Sequence, residues 1–228
     1  MIEQSVSLPG TVKFYERHLF VCTGHWDWPE RIEMGGGFLQ TLAEMIGLYA
    51  AEMPLKVKMT ACNGLEPGPG LTAVGHDILV FPDMVRYVGV ETADLEILVR
   101  DHLVGNEVSD RLRHEPLTGQ HVFVCVHGRR DERCGQCGPP LVDRLQAELN
   151  ERGLTNRVTI RRTSHVGGHA FAGNVLIYPG GDWYGFVTPE DVPRLVEDHL
   201  VRGNIVTDRW RGRLGMAPEV QITAVNGG

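Results

Sequence analysis

The sequence predicts an α/β fold built twice over, as two tandem units that are each a mixed β-sheet flanked by helices. Three observations carry this. Apolar, β-rich segments such as HLFVC (18–22) and HVFVC (121–125) alternate with stretches of helical period. Those two segments are near-copies, 103 residues apart, and the similarity continues beyond them. Turn-forming Pro-Asp and Pro-Gly-Gly stand at matching places in both halves.

Each element follows in order. At the offset of 103, Thr60 meets Thr163 and Leu42 meets Leu145. ILVFPDMVRYVGV (78–90) then recurs as VLIYPGGDWYGFV (175–187), and LVRDHLVGNEVSD (98–110) as LVEDHLVRGNIVTD (195–208), at an offset near 97. The first copy therefore carries about six extra residues, expected within 67–76. In each copy an apolar strand (18–22; 121–126) leads to an amphipathic helix (36–51; 139–152) and a second strand (55–60; 157–162). A hairpin follows (78–82 with 85–90; 175–179 with 182–187), then a closing helix from Thr92 or Pro189. Thr188 can cap the second of these, with Pro189 at its first position. The order βαββα is a thioredoxin-like layout. Domains are expected at 1–112 and 118–228, with a linker within 107–120.

Composition narrows the function. The chain has 228 residues, 42% hydrophobic and 22% charged, as in ordinary globular domains. Its net charge is -7, unevenly spread: residues 1–119 hold 9 basic and 17 acidic side chains, residues 120–228 hold 13, all arginine, and 12. An acidic chain without basic runs argues against nucleic acid and anionic membrane as partners. No apolar run approaches the roughly 18 residues of a membrane span, and the N-terminal residues carry no export signal. The protein is thus expected in the cytoplasm. Five cysteines, an odd number, point to reduced thiols with metal or redox use rather than a disulfide framework.

The chemistry concentrates in TSHVGGHAFAGN (163–174). Paired glycines disfavour a helix there, so the stretch reads as a loop that brings His165 and His169 to one point. Across the repeat, Cys22 matches Cys125, Cys62 matches His165, Arg31 matches Cys134 and Glu66 matches His169. The second copy offers Cys125, Cys134, His165 and His169. The first cannot complete a site, because arginine does not ligate metal. Two sulfurs and two ring nitrogens fit either a tetrahedral zinc or a [2Fe–2S] cluster. Cys134-Gly-Gln-Cys137 before a helix also fits a thiol–disulfide oxidoreductase. Cys22 and Cys62 read as small buried hydrophobes. His25, Trp26 and Trp28 read as a packed plug or an interface. His102 and His199, near helix ends, read as scaffold. Arg129, Arg130, Arg133, Arg161 and Arg162 read either as a basic rim that steers an acidic partner or as solvated loop charges and internal pairs.

HVFVCVHGRRDERCGQCGPPLVDRL, TSHVGGHAFAGNVLIYPGGDWYGFVTPEDV and WRGRLG together resemble the sucrase/ferredoxin-like family over about 121–215. The first half is similar, more weakly, to thioredoxin-like ferredoxins through FVC, MTAC and VFPDMVRYVGV. The resemblance implies tandem thioredoxin-like ferredoxin domains, the first degenerate. It also implies one [2Fe–2S] cluster held by Cys125, Cys134, His165 and His169. The expected function is electron transfer rather than enzymatic turnover, with a redox protein as partner, an acidic one if the arginines form a rim. The alternatives are a disulfide oxidoreductase using Cys134 and Cys137 and a zinc-stabilised binding protein. Trp210 and Arg211 are expected to pack near the cluster, and Gly167 and Gly168 to let backbone approach a sulfide. The two halves are expected to pair within one chain as a pseudo-dimer, in a monomer or a homodimer.

Overall fold

The computed structural model describes residues 7–64 and 75–226. The first half runs β1 (Arg17–Cys22), α1 (Gly37–Leu48), β2 (Val57–Cys62), β3 (His76–Phe81), β4 (Val85–Val90), a closing helix α2 (92–104) and an edge strand β5 (His114–Pro116). The second runs β6 (Gln120–Cys125), α3 (Glu132–Glu151), β7 (Val158–Thr163), β8 (Val175–Tyr178), β9 (Asp182–Tyr184) and a closing helix α4 (189–201). It ends with β10 (Trp210–Arg213) and α5 (Pro218–Asn226). All ten strands join one sheet in the order β10-β9-β8-β6-β7-β2-β1-β3-β4-β5.

The order βαββα is present in both halves. In each, the first strand lies parallel to the second and antiparallel to the third. Thr188 caps α4 reciprocally with Asp191, and Pro189 opens it, as its sequence predicts. Two expectations change. The linker region contains β5, which pairs with β4 and extends the sheet. The helix expected from 139 begins at Glu132 and runs through Pro139 and Pro140.

Strand register refines the repeat. Cys22 pairs with Cys62 in β1–β2, and Cys125 pairs with Thr163 in β6–β7. The structural counterpart of Cys62 is therefore Thr163, not His165, and that of Thr60 is Arg161. Phe81 and Tyr178 pair with His18 and His121, so they are counterparts at the offset of 97 read from the sequence. Two of the extra residues of the first copy thus precede β2, and the others lie between β2 and β3. Most of the stretch 67–76 to which the sequence assigned them is outside the described residues.

The halves meet where β2 and β7 run antiparallel, through the single pair Cys62 and Thr163. Counterpart residues face each other there, which marks an approximate two-fold axis. The sheet is sharply bent at this seam. Phe20 on β1 and Phe123 on β6 are three strand steps apart, or about 14 Å in a flat sheet. Their rings stack with centroids 3.6 Å apart. Phe81 and Tyr178, also counterparts, stack at 4.3 Å. The inner faces of the two half-sheets therefore pack on each other around Phe20, Phe81, Phe123, Leu176 and Tyr178. The outer faces bury Leu19, Val21 and Tyr87 beneath α1 and α2, and Val122, Val124 and Ile177 beneath α3 and α4. Covering on both faces explains the unbroken apolar runs of β1 and β6.

Candidate metal centre

The second half gathers its sulfurs and imidazoles at the C-terminal ends of β6 and β7. Cys125 is the last residue of β6 and is 1% exposed. Cys134 lies in the first turn of α3 and is fully buried. That turn is fixed by Asp131, whose carboxylate accepts from the Arg133 backbone N–H at 3.1 Å. Helix α3 can approach β6 only because position 138 is glycine. A Cβ there would fall 2.3 Å from the Cys125 carbonyl oxygen. His165 follows β7, and its backbone N–H donates to Nδ1 of His127 at 3.1 Å.

The Sγ atoms of Cys125 and Cys134 and a ring nitrogen of His165 all lie within 4.8 Å of one another. Among the described residues, Nδ1 of His165 is buried without a hydrogen-bond partner. A buried, unpaired ring nitrogen costs free energy unless something satisfies it. The Cys125 thiol is held well below its ordinary pKa, chiefly by the hydrogen bond from Cys134, with further donation from His165 and from the backbone N–H groups of His127 and Val166. Cys134 is pushed up by that same contact and by burial. Metal binding at such a pair proceeds with loss of the thiol protons.

His169 sits at the rim, 53% exposed at its side chain, with its ring centroid 5.8 Å from that of His165. Its Nδ1 lies 3.8 Å from Asp131. Of the four sequence-predicted ligands, three converge and the fourth is adjacent. The loop reading of 163–174 holds: Gly168 is left-handed, with φ +72°, and His169 opens only a short 3-10 turn. A Cβ at Gly168 would meet the guanidinium of Arg211 at 2.3 Å.

Arg211 packs beside this loop, as expected. It is buried, donates to Asn174 Oδ1 and to Thr11 Oγ1, and lies 4.5 Å over Phe171. Asn174 in turn donates to the Gly168 carbonyl at 3.1 Å, and its own carbonyl accepts from the Cys125 N–H at 3.1 Å. Trp210 is also buried and donates to Asp182 at 2.8 Å. Sequence reasoning passed over His127, Asn174 and Asp131. The first two stand inside the quoted motifs, as CVHG and FAGN, and Asp131 precedes the helix as an N-cap should.

Other readings are corrected. Cys134 and Cys137 do not precede a helix; both lie inside α3, with Cys134 buried against Cys125 and Cys137 exposed. Arg161 is not on the rim but is 1% exposed, with Nη1 2.8 Å from Nδ1 of His121. Arg129 and Arg130 follow the other reading, internal pairing, with Asp27 and Glu30 of the first half, and Arg133 pairs with Asp131. His102 and His199 are scaffold through hydrogen bonding rather than helix dipole. Each is buried and paired with a counterpart tyrosine, Tyr87 at 2.8 Å and Tyr184 at 2.6 Å. Trp28 is buried and its ring packs edge-on against His127, whereas Trp26 is exposed beneath Arg162. In the first half, Cys22 and Cys62 touch at 3.6 Å. Arg31 is exposed, and Glu66 lies outside the described residues.

Residues 8–212 match the sucrase/ferredoxin-like family. The chain belongs to that family. The match takes in the first half as well as the second, a wider span than the sequence motifs suggested. Among sucrase/ferredoxin-like relatives, altered inheritance of mitochondria protein 32 of Meyerozyma guilliermondii is 28% identical over 239 residues, covering 90% of this chain and 83% of the relative. The protein of the same name from Debaryomyces hansenii is 42% identical over 98 residues, covering 41% of this chain and 35% of its own. Among solved structures, a thioredoxin-like [2Fe–2S] ferredoxin from Aquifex aeolicus is 28% identical, with 44% of this chain and 96% of that one covered and a TM-score of 0.40. Among the described residues of this sucrase/ferredoxin-like chain, no helix is long and apolar enough to cross a membrane.

Proposed function

We propose that this protein is an electron carrier whose second half holds one [2Fe–2S] cluster on Cys125, Cys134, His165 and His169. The single observation that carries the reading is the convergence of the two buried sulfurs of Cys125 and Cys134 with a ring nitrogen of His165, all within 4.8 Å of one another. Membership of the sucrase/ferredoxin-like family supports it. A cluster bound here supplies reversible one-electron chemistry.

The chain's own residues set the conditions for that chemistry. Cys125 and Cys134 provide anionic donors once deprotonated. His165 and His169 provide neutral donors, which lower the negative charge of the site and so favour the reduced state relative to four thiolates. Burial of Cys125 and Cys134 excludes water, and His169 is the donor that reaches the surface. The backbone N–H groups directed at Cys125 moderate the charge on its sulfur.

No observation favours disulfide exchange at Cys134 and Cys137. The Cys134 thiol is enclosed and held protonated by Cys125, whereas exchange needs an accessible thiolate.

Iron and acid-labile sulfide analysis after anaerobic reconstitution tests the proposal. About two of each per chain are expected, with visible colour bleached by dithionite. Cys125→Ser and His165→Ala lose the colour, and Cys137→Ser keeps it. A colourless protein that takes up one zinc and no iron overturns the reading.

A further inference from the structure

Beside the candidate metal centre lies a cavity of about 560 Å³, within the range of small-molecule sites. Its chemistry is one-sided. The chain has three lysines, Lys13, Lys56 and Lys58, and all three line this cavity, together with Arg130 and Arg211. Among the described residues no aspartate or glutamate lines it. Arg130 is paired with Glu30, but Lys13, Lys56, Lys58 and Arg211 make no ion pair among the described residues, in a chain of net charge -7. The remaining wall is apolar and aromatic, formed by Val12, Tyr15, Val166 and Trp183. The Lys58 ammonium lies 6.0 Å from the Tyr15 ring centroid and 5.7 Å from that of Trp183, poised between the aromatic wall and the open space.

Burial pushes the Lys58 pKa down to about 8, and the charges of Lys13 and Arg211 add to the effect. A bound anion would relieve both penalties. Lys13 and Lys56 are exposed at the mouth, where they attract an anion before it enters. One wall is the loop from His165 to His169, while neither Cys125 nor Cys134 lines the cavity. The space is therefore distinct from the room between the two sulfurs and lies on the histidine side.

We propose that this cavity binds a small organic anion with a flat apolar body, its acidic groups on Lys58 and Lys13 and its body against the apolar wall. Such a ligand lies in contact with the edge of the histidine loop. That it there meets an electron-carrying centre rests on the function proposed above; that it binds does not.

Naphthalene-2,6-dicarboxylate is a suitable probe, with its neutral diamide as the isostere, titrated calorimetrically into the full chain. The dianion is expected to bind at a single site and the diamide not to bind. Lys58→Met is expected to weaken binding about tenfold, the scale of one charge-assisted contact, and Lys58→Arg to restore it. Lys13→Met, at an exposed position, is expected to weaken binding less, and the effect of added salt is expected to shrink with it. Binding that persists in Cys125→Ser, where the metal site is broken, supports a site independent of the centre. Failure of the dianion to bind the unsubstituted chain, equal binding of the diamide, or binding indifferent to both Lys58→Met and Lys13→Met overturns the proposal.

Discussion

Gly168 and Arg211 hold the histidine loop in place by mutual exclusion. The guanidinium occupies the space a Cβ would take, and the backbone is left-handed. Gly168→Ala is therefore expected to cost about 1–3 kcal/mol in urea unfolding, and to lower cluster retention, since His169 begins the next turn. A second prediction concerns His121, whose pKa is pushed down to about 4 by burial and then by Arg161. Its unfolded value is near 6.5. Below that pH the unfolded chain takes up a proton that the folded chain does not. The stability from neutral His121 is thus complete above about pH 6.5 and is lost as pH falls toward 4. His18 and His199, lowered mainly by burial, act in the same direction. The urea midpoint is expected to fall between pH 7.5 and 5, and to fall less in His121→Gln. An unchanged slope in that variant would remove His121 from the account. At this scale the convergence of Cys125, Cys134 and His165 was legible because the motifs keep them in tight local frames. His127 and Asn174 were harder to see because their role is hydrogen bonding to backbone groups distant in sequence.

At the scale of elements, α3 carries most of the site's precision. Asp131 caps its first turn three residues before Cys134. Asp131→Ala is expected to cost about 1 kcal/mol, and Asp131→Asn much less, because Asn caps nearly as well. Thermal melts of the two variants separate the cap from the charge. The sequence placed the start of this helix late because Gly135, Gly138, Pro139 and Pro140 carry turn signals. Tertiary contact overrides them: Gly138 admits the Cys125 carbonyl, and the prolines fall where the Gly135 and Gln136 carbonyls are freed on the more exposed side. Register was likewise misread by two residues at β2, since a fixed offset cannot register an insertion in the loop before the strand. That shift matters chemically. It makes Gly64, and not Cys62, the counterpart of His165, so the first half lacks a nitrogen donor there and its two cysteines meet each other instead.

Over the whole molecule, the βαββα order of each half was legible because it is written in local periodicity. The bend at the Cys62–Thr163 seam was not, because a face-to-face packing of counterpart residues leaves no mark on either segment alone. The Phe20–Phe123 stack lies at the centre of that packing, and Phe20→Ala is expected to cost about 3–5 kcal/mol, with Phe20→Leu retaining much of it. If the alanine variant unfolds at the same urea concentration as the parent, the halves do not rely on this face. The bend also brings the lysines of the first half and the histidine loop of the second to one cavity. The central claim, that sulfur and imidazole donors of the second half hold paired iron, is tested most directly by nitrogen hyperfine spectroscopy on the dithionite-reduced protein labelled with ¹⁵N-histidine. Couplings from two histidine nitrogens are predicted, one of them lost in His169→Cys. A reduced iron–sulfur signal without histidine coupling, or no paramagnetic iron at all, would contradict the account.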